Sequence, residues 1–590
     1  MTAPNRNTLW GETIIEELVA QGVEAACVSP GSRSTPLTVA AADHPDLTVY
    51  SHLDERSSAF FALGRGRRTG EPTALICTSG TAGANYHPAV MEANEGRVPL
   101  IALTADRPPE LQDSGANQTT DQTRLYGDAV RYHRTLPEPE PEARKLRSLR
   151  VTLARAVDAA RGTPPGPAHL NVPFRKPLEP TPVEGDVPAD IGSTAPIGAR
   201  GRDGPFIETT RGRTELDAGK LSPLVDALDA ADRGLIVCGP ANRPSPTRES
   251  LAALARATGF PVLADPLSGH RFGDHVATAP VCGGYDSYLD GVDWPEPDVV
   301  VRFGASPTSK VLRKYLAGVD ARQYLVDPAG GWREAEFTAT DLVVADGTAF
   351  AEAVAERSLA PAAETYRDRF ARAEDAYWNA VEEACDRRLF EGGLVHAVAE
   401  GLPDPATCFV SNSMPVRDLD RFSRPRAADV SVLGNRGVSG IDGIVSSGLG
   451  AGSASEEPLV LLVGDLALYH DMNGLLALER CGVDATIVLL DNDGGGIFHK
   501  LPIEEFDPPF TEQFRTPHGL DFSAVEGLYD LDFRRCESRQ EFLDGFERSV
   551  GSGGTDLLAV EFDSEASHRY REEVHEEVTA AVREAVGSRE

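Results

Sequence analysis

Two polar clusters in this chain, Gly464-Asp465 and Asp491-Asn492-Asp493-Gly494, set the Asp465 carboxylate and the Asn492 amide 27 positions apart. Each cluster closes an apolar run, Leu459 to Val463 and Ala485 to Leu490, and such runs read as buried strands. Asp471 to Arg480 reads as a helix between them. Strand, helix and strand of this length form one parallel βαβ unit. The carboxyl ends of its strands are neighbours, and that edge of a parallel sheet is where ligands bind. A carboxylate, a side-chain amide and the backbone carbonyls of Gly494-Gly-Gly496 are hard oxygen donors, suited to a magnesium ion that also grips phosphates. Taken singly, each cluster is ordinary turn chemistry. Their joint spacing is what points to a site.

The elements that must position such residues recur along the chain. Leu9 to Gln21 predicts an amphipathic helix, and Ala25 to Val28 a strand that runs into Ser29-Pro-Gly-Ser-Arg-Ser-Thr-Pro36. Tyr50 to Leu53 predicts a strand edge leading to a helix near Glu55. Strands at Thr73 to Cys77 and Val98 to Thr104 deliver the loops Thr78 to Gly83 and Ala105 to Pro109. Repeated βα units predict a parallel sheet with helices on both faces. A second set of strands, at Gly234 to Cys238, Pro261 to Ala264, Asp298 to Arg302 and Gln323 to Val326, lacks a dinucleotide glycine fingerprint. The expectation is an α/β fold of three doubly wound parallel-sheet domains. Residues 1–180 form the first, 181–218 a linker rich in Pro, Gly, Asp and Glu, 219–375 a central Rossmann-like domain without cofactor, and 376–590 the domain carrying Asp465 and Asn492.

Composition excludes several function classes. The 91 Asp and Glu outnumber 57 Lys and Arg, giving a net charge of −34, and only six of the basic residues are lysines. A dispersed acidic surface repels nucleic acid phosphates. With lysine depleted, it fits a salt-rich cytoplasm where screening tames self-repulsion. No run of eighteen apolar residues spans a membrane, and the first residues lack the apolar core of a secretory signal. Eight scattered cysteines without Cys-x-x-Cys argue against zinc or a disulfide framework and fit a reducing cytoplasm. Ser79 is not in a Gly-x-Ser-x-Gly elbow, which removes the hydrolase reading. No motif in the sequence sets a base against His52 or His470, and both read as structural.

Longer runs narrow the family. Ser29 to Pro36, His52 to Arg56, Thr78 to Gly83, Leu103 to Glu110, Gly115 to Thr119, Ser411 to Met414, Gly434 to Gly443 and Gly494 to Phe498 together resemble the 2-succinyl-5-enolpyruvyl-6-hydroxy-3-cyclohexene-1-carboxylate synthases, a branch of the thiamine-diphosphate enzymes. Leu466 and Asp491 depart from the superfamily signature, which has glycine and asparagine there. Val311 departs from a Lys-Arg pair, so that only Lys310 carries over.

The resemblance implies thiamine diphosphate as cofactor, with Glu55 as the catalytic residue that hydrogen-bonds N1′ of its aminopyrimidine. It expects that carboxyl to be shielded from water with a raised pKa. It implies Mg²⁺, or Mn²⁺ as the alternative, on Asp465, the Asn492 side chain and the Gly494 carbonyl. Gly80 and Gly464 are implied to let the cofactor approach closely, Ile441 to buttress it, and Ile497 and Phe498 to wall the reacting carbon. For Phe498 a plain core role fits equally well. The implied substrates are 2-oxoglutarate and isochorismate, held by Ser32, Arg33, Arg107, Gln118, Lys310, Ser413, Arg417 and Arg436, because carboxylates call for guanidinium forks and hydroxyl donors. The implied reaction decarboxylates 2-oxoglutarate and adds the succinic-semialdehyde carbanion to isochorismate, a step of menaquinone biosynthesis. Superfamily sites combine two subunits, which implies a homodimer or homotetramer. An acetolactate synthase-like enzyme, a 2-oxo acid decarboxylase and a non-catalytic cofactor-binding paralogue stay open as alternatives.

Overall fold

Val, Ile, Leu and Ala fill the strand segments because helices cover both faces of a parallel sheet. The computed structural model describes residues 3–587 and arranges its strands in three six-stranded sheets whose pairings are all parallel. The first holds β1 (Ala25–Ser29), β2 (Thr48–Ser51), β3 (Thr73–Cys77), β4 (Leu100–Asp106), β5 (Tyr132–Thr135) and β6 (Pro167–Pro173), in the order β2-β1-β3-β4-β6-β5. The second holds β7 (Gly234–Cys238), β8 (Val262–Ala264), β9 (Val281–Cys282), β10 (Val299–Phe303), β11 (Arg322–Val326) and β12 (Asp341–Val343), in the order β12-β11-β10-β7-β8-β9. The third holds β13 (Ala406–Val410), β14 (Val430–Leu433), β15 (Leu459–Gly464), β16 (Thr486–Asp491), β17 (Asp532–Arg535) and β18 (Asp556–Glu561), in the order β14-β13-β15-β16-β18-β17.

The first and third sheets therefore share one strand order, while the middle sheet has the order common to dinucleotide-binding folds. In the shared order the winding reverses between the first and third strands of the sheet, and a crevice opens at that point. The loops after β1 and β3 flank one crevice, and the loops after β13 and β15 flank the other.

Contacts divide the chain into two compact units. One comprises the chain through Arg211 together with Asn435–Glu456 and Asp471–Val483. Here the helix Glu55–Thr69 meets the helix Ile444–Gly452 backbone to backbone. A Cβ on Gly64 would lie 1.8 Å from the Ser447 carbonyl oxygen, and one on Gly450 2.0 Å from that of Phe61. Arg65 donates to the Ser453 carbonyl at 2.7 Å. The buried Glu92 carboxylate accepts the Gly437 and Val438 N–H groups at 2.7 and 2.6 Å and pairs with Arg67 at 3.0 Å. These bonds hold the Asn435–Gly443 loop.

The other unit comprises Gly212–Gly434, Glu457–His470 and Asp484–Glu590 and carries the second and third sheets. Buried charge pairs join them, Arg271 with Asp420 at 3.0 Å and Arg421 with Asp286 at 2.8 Å. The helix Glu364–Arg387 packs on the last helix, Ser564–Gly587.

Three expectations need correction. The helix expected at Asp471 to Arg480 is broken into a 3-10 turn at Met472–Leu476 and a short helix at Ala477–Cys481, preceded by a helix at Asp465–His470. Buried Asp471 causes the break, its carboxylate accepting the Ser446 N–H at 2.7 Å. The strand expected at Tyr50 to Leu53 ends at Ser51, since His52 turns inward onto Phe61 while Leu53 is exposed. The strands β5, β6, β9, β12, β13, β14, β17 and β18 are additional to those read from periodicity. No described helix is long and apolar enough to cross a membrane. All eight cysteines are free.

Candidate active site

Every candidate follows the carboxyl end of a strand, Lys310 in the second sheet and the others in the first and third. In the second unit, parallel pairing sets Gly464 beside Leu490, which puts Asp465 and Asn492 at adjoining strand ends. Asp465 is 3% exposed. Its Oδ1 accepts its neighbour's Leu466 N–H at 2.6 Å, and its Oδ2 accepts the Gly494 N–H at 2.8 Å. Asn492 donates its Nδ2 to Glu391 Oε1 at 2.6 Å, while its Oδ1 is buried without a partner among the described residues. The Gly494 carbonyl accepts the Gly496 N–H at 3.1 Å and keeps a second lone pair. A carboxylate, a bare amide oxygen and a glycine carbonyl fit a divalent cation, because a buried oxygen without a donor is costly unless something occupies it.

Two further groups adjoin this spot. Oxygen atoms of Asp465 and Asp491 and a ring nitrogen of His518 lie within 4.8 Å of one another. His518 Nε2 is 3.2 Å from Asp465 Oδ2, and Asp493 fixes the loop by accepting the His518 and Gly519 N–H groups at 2.9 and 2.7 Å. Burial pushes the Asp491 carboxyl up to about 6, with the Asp493 N–H opposing and the Asp465 charge adding. Burial likewise pushes Glu391 up to about 7, with Asp418 adding and Asn492 and Ser567 opposing. Past the glycines, Ile497 and Phe498 are half-buried, and Phe498 meets Phe514 edge to face at 5.4 Å.

In the first unit, Glu55 opens its helix behind the cap Asp54, whose side chain accepts the Arg56 N–H at 2.8 Å. Glu55 is half-buried. Gly80 adopts φ +84°, and the loops after β3 and β4 are stitched together beside it. Ser79 Oγ donates to the Gln118 carbonyl at 2.9 Å, and Gln118 Nε2 donates to the Ser79 carbonyl at 3.0 Å. The buried Gln122 accepts the Gly80 N–H at 2.9 Å and donates to Asn171 Oδ1 at 2.9 Å, and Asn171 donates to Asp106 at 2.7 Å. Arg107 is half-buried, its Nε without a partner among the described residues. Arg33 is buried and donates to the Phe174 carbonyl at 2.6 Å. Burial lowers its pKa, the Arg107 charge adding. Ser32 is exposed.

The remaining candidates lie apart from these two clusters in sequence. Arg436 and Ile441 are in the loop held by Glu92, which borders a cleft lined by Phe60, Met91, Glu92, Asn435, Val438 and Asp442. Ser413 has φ +70° after β13, and its carbonyl accepts from Arg417 at 2.5 Å. Lys310 is exposed at the start of the helix Lys310–Gly318, and Arg313 on the next turn pairs with Glu336 at 3.4 Å.

Glu391, His518, Gln122 and Asn171 were not among the sequence candidates. Glu391 reads as an ordinary first-turn acid of a helix. His518 stands 53 positions beyond Asp465 in a loop with no strand to place it. For neither does periodicity carry a signal.

Comparison with known proteins adds to this geometry. Residues 10–125 match the model for the thiamine pyrophosphate enzyme N-terminal TPP binding domain, and residues 224–410 the model for the middle domain of thiamine pyrophosphate enzymes. A Haloarcula marismortui protein named 2-succinyl-5-enolpyruvyl-6-hydroxy-3-cyclohexene-1-carboxylate synthase is 62% identical over 98% of this chain and 99% of its own. Proteins of the same name from Halobacterium salinarum and Roseiflexus castenholzii are 61% and 45% identical, over 98% and 95% of this chain and 99% and 97% of their own. Among solved structures, a Rhodococcus jostii thiamine diphosphate-dependent 4-hydroxybenzoylformate decarboxylase aligns with a TM-score of 0.68 at 17% identity, covering 94% of this chain and 99% of its own. That likeness concerns the fold.

Proposed function

The chain belongs to the 2-succinyl-5-enolpyruvyl-6-hydroxy-3-cyclohexene-1-carboxylate synthase family of thiamine-pyrophosphate enzymes, and on that footing we propose that it decarboxylates 2-oxoglutarate and adds the remaining four-carbon unit to isochorismate. The addition is a 1,4-addition, CO₂ is released, and the product serves menaquinone biosynthesis. The single observation that carries the site is the bare Asn492 Oδ1 beside Asp465 at adjoining strand ends.

In this reading Asp465, Asn492 Oδ1 and the Gly494 carbonyl hold Mg²⁺, with Mn²⁺ as the alternative, and through it the diphosphate. Thiamine diphosphate, when bound, supplies the nucleophilic carbon and the electron sink for loss of CO₂. Glu55 holds the proton shared with N1′ of the aminopyrimidine. Glu55 opens its helix at the end of β2, which presents its carboxyl to that ring. Gly80 and Gly464 keep backbone free of side chains where the cofactor approaches. Ile441, Ile497 and Phe498 exclude water from the reacting carbon.

Arg107, with its unpartnered Nε, is the leading carboxylate fork. Arg33 supports it from a buried position, and Ser32, Gln118, Lys310, Ser413, Arg417 and Arg436 complete the polar set. Glu55 and Asp465 belong to different units of the chain. The active form is a cytoplasmic homodimer or homotetramer in which Glu55 of one chain serves the diphosphate half of another.

The test is one incubation of the full chain with thiamine diphosphate, Mg²⁺, 2-oxoglutarate and isochorismate, in high and low salt, followed by mass analysis of the product. The expected product carries isochorismate plus the four-carbon unit. Absence of adduct in both salts, with pyruvate consumed in a parallel incubation that contains it, overturns the assignment in favour of an acetolactate synthase-like activity.

A further inference from the structure

The amide of Asn492 has a defined orientation, and one side chain sets it. Glu391 is 7% exposed at the first turn of the helix Glu391–Gly401. Its Oε1 accepts Asn492 Nδ2 at 2.6 Å, and its Oε2 accepts the Ser567 hydroxyl at 2.9 Å. Ser567 Oγ in turn accepts the Glu391 N–H at 3.2 Å. Both carboxyl oxygens are thus engaged, and the Ser567 bonds lock the Glu391 rotamer. The helix that carries Ser567 touches the same loop a second time, where Ser564 Oγ lies 3.1 Å from His499 Nε2.

A side-chain amide has a donor face and an acceptor face. Only an acceptor beside Nδ2 forces Oδ1 to the opposite side, and here Oδ1 is buried with no donor among the described residues. Without Glu391 the amide is free to rotate, and a rotated amide would aim N–H groups at a cation.

We propose that Glu391 is the positioning residue of the metal site. Supported by Ser567, it holds Asn492 with Oδ1 facing the divalent cation. This rests on the reading of Asp465, Asn492 and the Gly494 carbonyl as the metal ligands. Ser567 makes the C-terminal helix part of the metal site's support, so changes on that helix reach the cation through two hydrogen bonds. Outer partners of metal ligands commonly govern affinity in this way.

The test uses the full chain with saturating thiamine diphosphate, titrated with Mn²⁺ while free Mn²⁺ is read by electron paramagnetic resonance. Glu391→Leu keeps the volume but cannot accept a hydrogen bond, and is expected to raise the Mn²⁺ Kd about 10- to 100-fold. Glu391→Gln keeps an acceptor oxygen for Asn492 and is expected to restore affinity to within about threefold, a rescue that a purely structural role would not produce. Should Glu391→Leu fail to fold, Ser567→Ala takes its place and is expected to weaken binding about three- to tenfold, by loosening the Glu391 rotamer.

Asp465→Ala separates the two levels. If it leaves Mn²⁺ affinity unchanged, the ligand reading itself fails. If it abolishes binding while the folded Glu391→Leu or Ser567→Ala protein binds like the parent, only the positioning role is overturned.

Discussion

The Gly494 N–H donates to Asp465 Oδ2 at 2.8 Å, which ties the loop after β16 to the end of β15 and draws the proposed metal ligands together. Gly494 can make this bond because it adopts φ +134°, and a Cβ there would stand 2.0 Å from the Arg515 carbonyl oxygen. Gly494→Ala should therefore displace the loop and weaken Mn²⁺ binding at least about tenfold. The same paramagnetic titration measures it, and unchanged affinity would show that the loop geometry is not part of the site.

The approach of Gly64 to the Ser447 carbonyl predicts a packing effect in the first unit. Gly64→Ala places a methyl group where 1.8 Å is available. Overpacking of this kind destabilises by about 1–3 kcal/mol. Thermal melting followed by circular dichroism should show a lower Tm, and an unchanged Tm contradicts the backbone-to-backbone contact.

Three buried histidines predict acid sensitivity. Burial pushes His52 down to about 4 and His169 and His270 down to about 3, with neighbouring positive charges adding. The unfolded chain takes up these protons near pH 6.5, whereas the folded chain refuses them until its own lower values are reached. The unfolded state then binds more protons, so stability falls as pH drops from about 6.5 towards 4. The raised carboxyls of Glu391 and Asp491 act with the opposite sign in the same window, so the readout is the difference between proteins melted at high salt: His52→Gln should lose less Tm than the parent as pH falls. Identical slopes in parent and variant would mean that His52 is not buried neutral.

The net charge of −34 predicts a salt requirement. Screening lengths fall from about 10 Å at 0.1 M to about 3 Å at 1 M salt. Self-repulsion between dispersed carboxylates should weaken over that range, and Tm should rise with KCl. Full folding and activity in dilute buffer, with no gain from salt, would remove the salt-rich cytoplasm from the account.

The sequence showed most plainly the parts whose chemistry is local. Asp465 and Asn492 stand at the ends of apolar runs, and parallel pairing alone makes such ends neighbours, so their juxtaposition could be read before the structure. The α/β class followed from the same alternation. Glu391 could not be read, because nothing local separates a helix first-turn acid from one that grips an amide 101 positions away. His518 and the Gln122–Asn171 pair were hidden for the same reason, since each works through a long-range hydrogen bond from a loop or strand end. The break at Asp471 escaped because helical periodicity persists through a segment that a single buried carboxylate redirects.

The central claim is that Glu55 drives catalysis on a cofactor held by Asp465 and Asn492. The most direct measurement is CO₂ release from 2-oxoglutarate by Glu55→Gln, with thiamine diphosphate and Mn²⁺ binding measured on the same protein. A fall in kcat of at least about 100-fold with Mn²⁺ affinity retained is expected. Turnover within about threefold of the parent would contradict it.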